Sequence, residues 1–230
     1  RDAGLPTPDF ALVREPGEID SVDLPYPLFV KPLAEGTGKG ITEASRITDQ
    51  RDLRQRCFEL LDKHHQPVLV EHYLPGREFT VGILGTGERA SVLGALEVII
   101  REQGEAGGYT YLNKQQCEEL VEYRYFAGGE DDAAIRRVED LALRAWRVLG
   151  CRDAGRIDIR LNELAEPSIL EVNPLAGLHP THSDLPMIAT AVGMGYRELI
   201  DRIVASAMER VAAQSCAFVP ETSSPSSILV

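Results

Sequence analysis

Two short segments place oxygen ligands and cations at spacings that chemistry can use. In Gly155-Arg156-Ile157-Asp158-Ile159-Arg160-Leu161, a strand period of two sets Ile157, Ile159 and Leu161 on one face and Arg156, Asp158 and Arg160 on the other. In Ser168-Ile169-Leu170-Glu171-Val172-Asn173 the same period groups Glu171 with Asn173. If these strands pair with polar faces aligned, Asp158, Glu171 and Asn173 form an oxygen-only cluster suited to Mg²⁺, a hard cation that also takes phosphate oxygens. The alternation equally describes a plain solvated sheet face. Upstream, the apolar run Leu28 to Lys31 leads into Glu35-Gly36-Thr37-Gly38-Lys39-Gly40. Lys39 is followed by Gly40 rather than Ser or Thr, so this is not a Walker-A loop, and the spacing does not match a dinucleotide fingerprint. Glycines between two strands can fold backbone N–H groups over phosphates, with Lys31 and Lys39 adding positive charge. A flexible surface hairpin, with its return strand starting at Ile41, is the other reading.

Asp49 to His64 carries Leu53, Cys57, Leu60 and Leu61 at helical spacing. Asp131 to Leu149 carries Ile135, Val138, Leu141, Ala142, Ala145 and Leu149 on one stripe, with Trp146 assigned to the core and Gly150 as the stop. Further strands are expected at Val68 to Val70, at Glu78 to Leu84 after the turn Pro75-Gly76, and at Ser91 to Ile100. Gly104 to Gln116 reads as a long loop, Tyr196 to Ala213 as a last helix, and the Ser/Pro-rich stretch Glu221 to Val230 as a disordered tail. Strands and helices mixed without strict alternation predict an α+β fold with largely antiparallel sheets.

The formal net charge is −12, from 24 basic and 36 acidic side chains, which argues against a nucleic-acid partner. No apolar run approaches the roughly 20 residues of a membrane span, and the first residues lack a secretory core, so no membrane partner and a cytoplasmic location are expected. Cys57, Cys117, Cys151 and Cys216 form no Cys-x-x-Cys pair and read as reduced structural thiols. His64-His65 reads as a solvated helix end. His179 is either part of its loop or a substrate contact.

Together these segments resemble the ATP-grasp fold and, within it, the D-alanyl-D-alanine ligase family. The resemblance rests on Phe29-Val30-Lys31-Pro32 with the glycine loop, on Val68-Leu69-Val70-Glu71-His72-Tyr73-Leu74-Pro75-Gly76-Arg77-Glu78-Phe79-Thr80-Val81, and on Gly155-Arg156-Ile157-Asp158. Leu170-Glu171-Val172-Asn173, Gly177 and His182-Ser183-Asp184-Leu185-Pro186 complete it. It implies two α+β lobes clamping ATP: a small lobe over residues 1–88, a larger one over 89–218, and the tail 219–230.

By that resemblance Lys31 reaches the nucleotide phosphates and Gly36, Thr37, Gly38 and Lys39 form the flap over them. Glu71, His72 and Leu74 hold adenine, and Glu78 binds the ribose. Asp158, Glu171 and Asn173 hold magnesium, Lys114 is directed at the terminal phosphate, Arg156 stabilises a developing oxyanion, and Ser183 takes the acceptor carboxylate. The implied reaction joins a small-molecule carboxylate to an amine: the carboxylate attacks the γ-phosphorus of ATP, and the amine then attacks the acyl phosphate.

Members of that family carry a further N-terminal domain that builds part of the donor site. The expectation is therefore an excised domain, or a chain completed by a partner or a homodimer, with a non-catalytic Mg-ATP-binding module as the alternative. Pro174-Leu175-Ala176 and Asp184 depart from the family pattern. A bare carboxylate at Asp184 would repel an acceptor carboxylate by about 1–4 kcal/mol at about 4 Å.

Overall fold

Alternation decides which face of each strand is core. The computed structural model describes residues 1–36, 38–100, 121–127 and 132–217. In the first sheet, β1 (Phe10–Val13), β2 (Leu28–Pro32), β3 (Arg46–Ile47) and β4 (Val68–His72) lie in the order β1-β4-β2-β3. Leu28 and Val30 of β2, with Val68 and Val70 of β4, pack with Leu53, Cys57 and Leu60 of α1 (Gln50–His64). The intervening residues Phe29, Lys31, Leu69 and Glu71 fall on the other face. Helix α1 begins where the Asp49 carboxylate accepts the Asp52 N–H at 2.9 Å, and ends at His65 in the left-handed conformation.

In the second sheet, β5 (Glu78–Leu84), β6 (Ser91–Ile100), β7 (Val121–Ala127), β8 (Ala154–Leu161) and β9 (Pro167–Asn173) lie in the order β7-β6-β5-β8-β9. Every pairing between described strands is antiparallel. Phe79, Val81, Ile83, Ile157 and Ile159 pack against Ile135, Val138, Leu141 and Trp146 of α2 (Ala133–Val148). On the opposite face α3 (Asp184–Ala191) sits where β5 and β6 carry glycine. A Cβ on Gly82 would lie 3.1 Å from Leu185, and one on Gly94 would lie 3.2 Å from Ile188. Helix α4 (Tyr196–Ala217) follows, longer at its C-terminus than the sequence pattern predicts.

Several expectations change. β5 pairs with β6 and β8, so the division between the sheets falls at residues 73–77, ahead of the expected boundary at 88. The return strand expected from Ile41 starts only at Arg46, because Glu43–Ser45 forms a 3₁₀ turn that Thr42 closes as a capping box. β1, β7 and α3 had no strong period to announce them. Trp146 is fully buried, as its position on the stripe predicts. Gly104 to Gln116 and the tail 219–230 lie outside the described residues. No helix among the described residues is long and apolar enough to cross a membrane.

Candidate functional site

The face of the first sheet opposite α1 and the face of the second sheet opposite α2 look onto one cavity of ≈ 220 Å³. The first sheet lines it with Phe29, Lys31, Leu69, Glu71 and His72, the connection with Tyr73 and Leu74, and the second sheet with Glu78, Asp158, Arg160, Leu170 and Glu171. Lys31 and Glu171, on different sheets, therefore line the same cavity. Lys31 Nζ lies 2.6 Å from Glu71 Oε2, a diagonal pair on adjacent strands. Glu71 is only 7% exposed, and the Lys31 ammonium is a cation in contact with its carboxylate. The backbone N–H of His72 donates to Asp9 O at 2.8 Å and that of Tyr73 to Pro27 O at 3.0 Å, so both amides are committed.

Asp158 is the hub of the second sheet. Its Oδ1 accepts from Thr80 Oγ1 at 2.9 Å and from Arg156 Nη1 at 3.2 Å, and its Oδ2 from Asn173 Nδ2 at 3.2 Å. The register explains the convergence: Asp158 pairs with Thr80 on one side and Glu171 on the other, while Arg156 pairs with Asn173. The next cross-strand pair is Ile159 with Ile169, so Leu170 is a bulged residue and joins Glu171 on the cavity wall. The polar-face alignment expected for these two strands is what the register produces.

The donors fit magnesium in type: two carboxylates and a carboxamide, all oxygen, with Asp158 partly buried and Glu171 exposed, leaving room for phosphate or water. Among the described residues no group of three His, Cys, Asp or Glu side chains could hold a metal, so the set relies on Asn173. Its carboxamide now presents N–H to Asp158, and a half-turn would present oxygen instead.

Arg156 Nη1 also donates to Asp184 Oδ2 at 2.6 Å. The Asp184 carboxylate is thus an ion-pair partner rather than the bare charge expected. Ser183 Oγ accepts the His179 N–H at 3.0 Å and lies outside the cavity wall, closing the 177–183 loop. The His179 ring meets His182 at 4.8 Å between centroids. Lys114 and Thr37 lie outside the described residues.

In the glycine loop, Gly38 and Gly40 both have φ +76, the left-handed region that favours glycine. Gly36 is exposed, and Gly38 reaches the cavity wall, whereas Lys39 is exposed and does not line it. Gly40 O accepts from Arg56 Nη2 at 2.7 Å. His64 is not solvated: its side chain is 12% exposed, with Nδ1 3.7 Å from Glu35, because the loop folds back over the end of α1.

Sequence reasoning left Arg160, Thr80 and Tyr73 without roles. Arg160 Nη1 lies 3.4 Å from Glu78 Oε2, its Nε donates to Gly76 O at 3.2 Å, and its guanidinium stands 5.2 Å from the centre of the Tyr73 ring. Arg160 shares the polar face of β8 with Arg156 and Asp158, and Thr80 shares that of β5 with Glu78, so the period of two carried the signal.

Two antiparallel sheets, each packed on one face by a long helix and turned on the other toward the shared cavity, with α3 covering part of the second sheet beside it, make this an α+β ATP-grasp unit. The chain belongs to the D-ala D-ala ligase family, matching the model of that family's C-terminus over residues 1–205. It is 37% identical over 211 residues to a D-alanine–D-alanine ligase of Bordetella petrii, covering 90% of this chain and 61% of the relative. For the corresponding Cupriavidus necator ligase the figures are 34% over 207 residues, 89% and 60%. The chain thus spans about three-fifths of the length of these relatives.

Among solved structures, the VanG D-Ala:D-Ser ligase of Enterococcus faecalis aligns with a TM-score of 0.68 at 24% identity, covering 89% of this chain and 57% of that one. A Bacillus anthracis D-alanine–D-alanine ligase complexed with ATP aligns with a TM-score of 0.66 at 22% identity, covering 94% and 64%. At those identities the likeness speaks for the fold.

Proposed function

We propose that this chain is the Mg-ATP-binding part of a cytoplasmic carboxylate–amine ligase of the D-alanyl-D-alanine type, acting on small-molecule substrates. The observation that carries this reading is that Lys31 on one sheet, and Asp158 and Glu171 on the other, line a single cavity. Lys31 turns from Glu71 toward the nucleotide phosphates, with Gly36, Thr37, Gly38 and Lys39 as the flap above them. Glu71 and Leu74 flank adenine with His72, whose amide is already committed to Asp9. Glu78, steadied by Arg160, takes the ribose hydroxyls. Asp158, Glu171 and Asn173 hold magnesium, which when bound supplies charge neutralisation at the phosphoryl oxygens. Arg156 opposes negative charge on the attacked carboxyl carbon's oxygen, Lys114 serves the terminal phosphate, and Ser183 the acceptor.

Calorimetric titration with Mg-ATP tests the reading. One equivalent should bind to the wild-type chain, and Glu171→Gln should weaken it by about tenfold with an unchanged melting temperature. Unchanged affinity in that variant would refute the assignment. The same titration is compatible with a module that holds Mg-ATP without ligating, and a second assay separates the two. Phosphate release that rises with added amino acids favours the ligase, and binding without amine-dependent release favours the module.

A further inference from the structure

The glycine loop is mounted at both ends, on a residue in the middle of α1 and on one just beyond its end. On the outgoing side β2 and β4 pair as far as Pro32 and Val68, and the Leu33 N–H still donates to Pro67 O at 2.9 Å. Pro67 has no N–H to return, so the backbone ladder stops there. The Gln66 carboxamide carries it one step further: its Oε1 accepts the Ala34 N–H at 2.6 Å, and its Nε2 donates to Glu35 Oε1 at 2.9 Å. On the return side Arg56 Nη2 donates to Gly40 O at 2.7 Å and lies 3.4 Å from Thr42 Oγ1, while its Nη1 stands 3.4 Å from Glu59 Oε2. The Arg56 side chain is 13% exposed, so water competes weakly for the Gly40 carbonyl. Gly40 itself lies so close to the end of α1 that a Cβ there would come within 2.6 Å of the Pro32 ring and 3.1 Å of His64 Nε2. Between these feet the chain turns twice, with the Lys39 N–H donating to Gly36 O at 3.1 Å and the Ile41 N–H to Gly38 O at 3.0 Å, and Gly38 and Ile41 reach the cavity.

We infer that Arg56 and Gln66 are positioning residues for nucleotide binding, fixing the two feet of the glycine loop and so setting where it meets the phosphates. The inference rests on the proposed reading of the cavity as an ATP site with this loop above the phosphates. Glycines give a loop many conformations to lose, and a loop held at both ends has given up most of them before a ligand arrives. Neither Arg56 nor Gln66 lines the cavity, so the loss of either should be felt by the phosphate tail and not by the nucleoside.

The test compares Mg-ATP, titrated by calorimetry, with adenosine, which carries no phosphate and is followed by ligand-observed NMR, on the full 230-residue chain. Arg56→Met and Gln66→Met should each weaken Mg-ATP by about tenfold while leaving adenosine within about twofold of wild type. Arg56→Lys, which keeps a donor for Gly40 O, should retain Mg-ATP affinity to within about threefold. The two feet are separate, so if one Met variant fails to fold the other carries the test. Unchanged Mg-ATP affinity in a folded Met variant, or an equal loss toward adenosine, would overturn the positioning role while leaving wild-type Mg-ATP binding intact. A wild-type chain that takes no Mg-ATP would overturn the ATP reading of the cavity and this role with it.

Discussion

Gly155→Ala is expected to damage the core and the site together. A Cβ at Gly155 would lie 2.5 Å from Asn173 O and 2.5 Å from Trp146 Cη2. Neither neighbour yields easily: the first is backbone of β9, and the second belongs to a fully buried ring whose Nε1 donates to Gly85 O at 3.0 Å. Overpacking of this kind costs about 1–3 kcal/mol. At about 2–4 °C per kcal/mol for a chain of this size, the melting temperature should fall by roughly 2–12 °C. Asn173 is also the cross-strand partner of Arg156, so displacing it disturbs the donor set around Asp158 and should weaken Mg-ATP binding. Thermal denaturation followed by the emission of Trp146, the single tryptophan, reads the core directly. Gly17→Ala, where an added Cβ meets nothing within 4 Å, is the control. Equal melting temperatures and unchanged emission in the two variants would refute the argument that close packing at Gly155 seats β9.

Burial pushes the Cys57 thiol up to about 12, so at pH 8 it should stay protonated and react with a disulfide reagent only as the chain unfolds. Rapid native labelling located at Cys57 by mass spectrometry would contradict that. Asp153, with φ 65, accepts from Arg210 at 2.8 Å and from Ser206 at 3.1 Å, and the Arg210 hydrogen bond foremost holds its carboxyl below the ordinary carboxylate value. A depressed folded-state pKa gives stability that is present above the unfolded value and lost as pH falls through the folded one. Asp153→Asn keeps a residue tolerant of that backbone, so it should cost about 1–3 kcal/mol at pH 7 in urea unfolding. The gap should narrow once pH drops below 3.8 and toward the lowered value; a gap independent of pH would oppose this.

The parts of the site legible in the sequence are those written in strand alternation. Asp158 faces the cavity because Ile157 and Ile159 are core, and Glu171 and Asn173 alternate with Val172 across from it, but the bulge at Leu170 that lets Ile169 stay in the core while Glu171 faces the cavity is not written in the alternation. The glycine loop was legible for its backbone and not for its side chains, since the turns at Gly38 and Gly40 leave Lys39 exposed. Long-range partners were not legible. The Arg156 contact with Asp184 spans 28 residues and depends on α3 packing over Gly82 and Gly94, which no local pattern announces. His64 looked like a free helix end because its cover, Glu35 and the loop, arrives from a segment far upstream.

If one cavity binds ATP through a magnesium ion held by Asp158, ATP affinity measured with magnesium and with chelator in wild type and Asp158→Asn shows it most directly. Magnesium should tighten ATP binding by about tenfold or more in the wild type and by about twofold or less in the variant, at matched melting temperatures. The same magnesium dependence in both proteins would contradict the account.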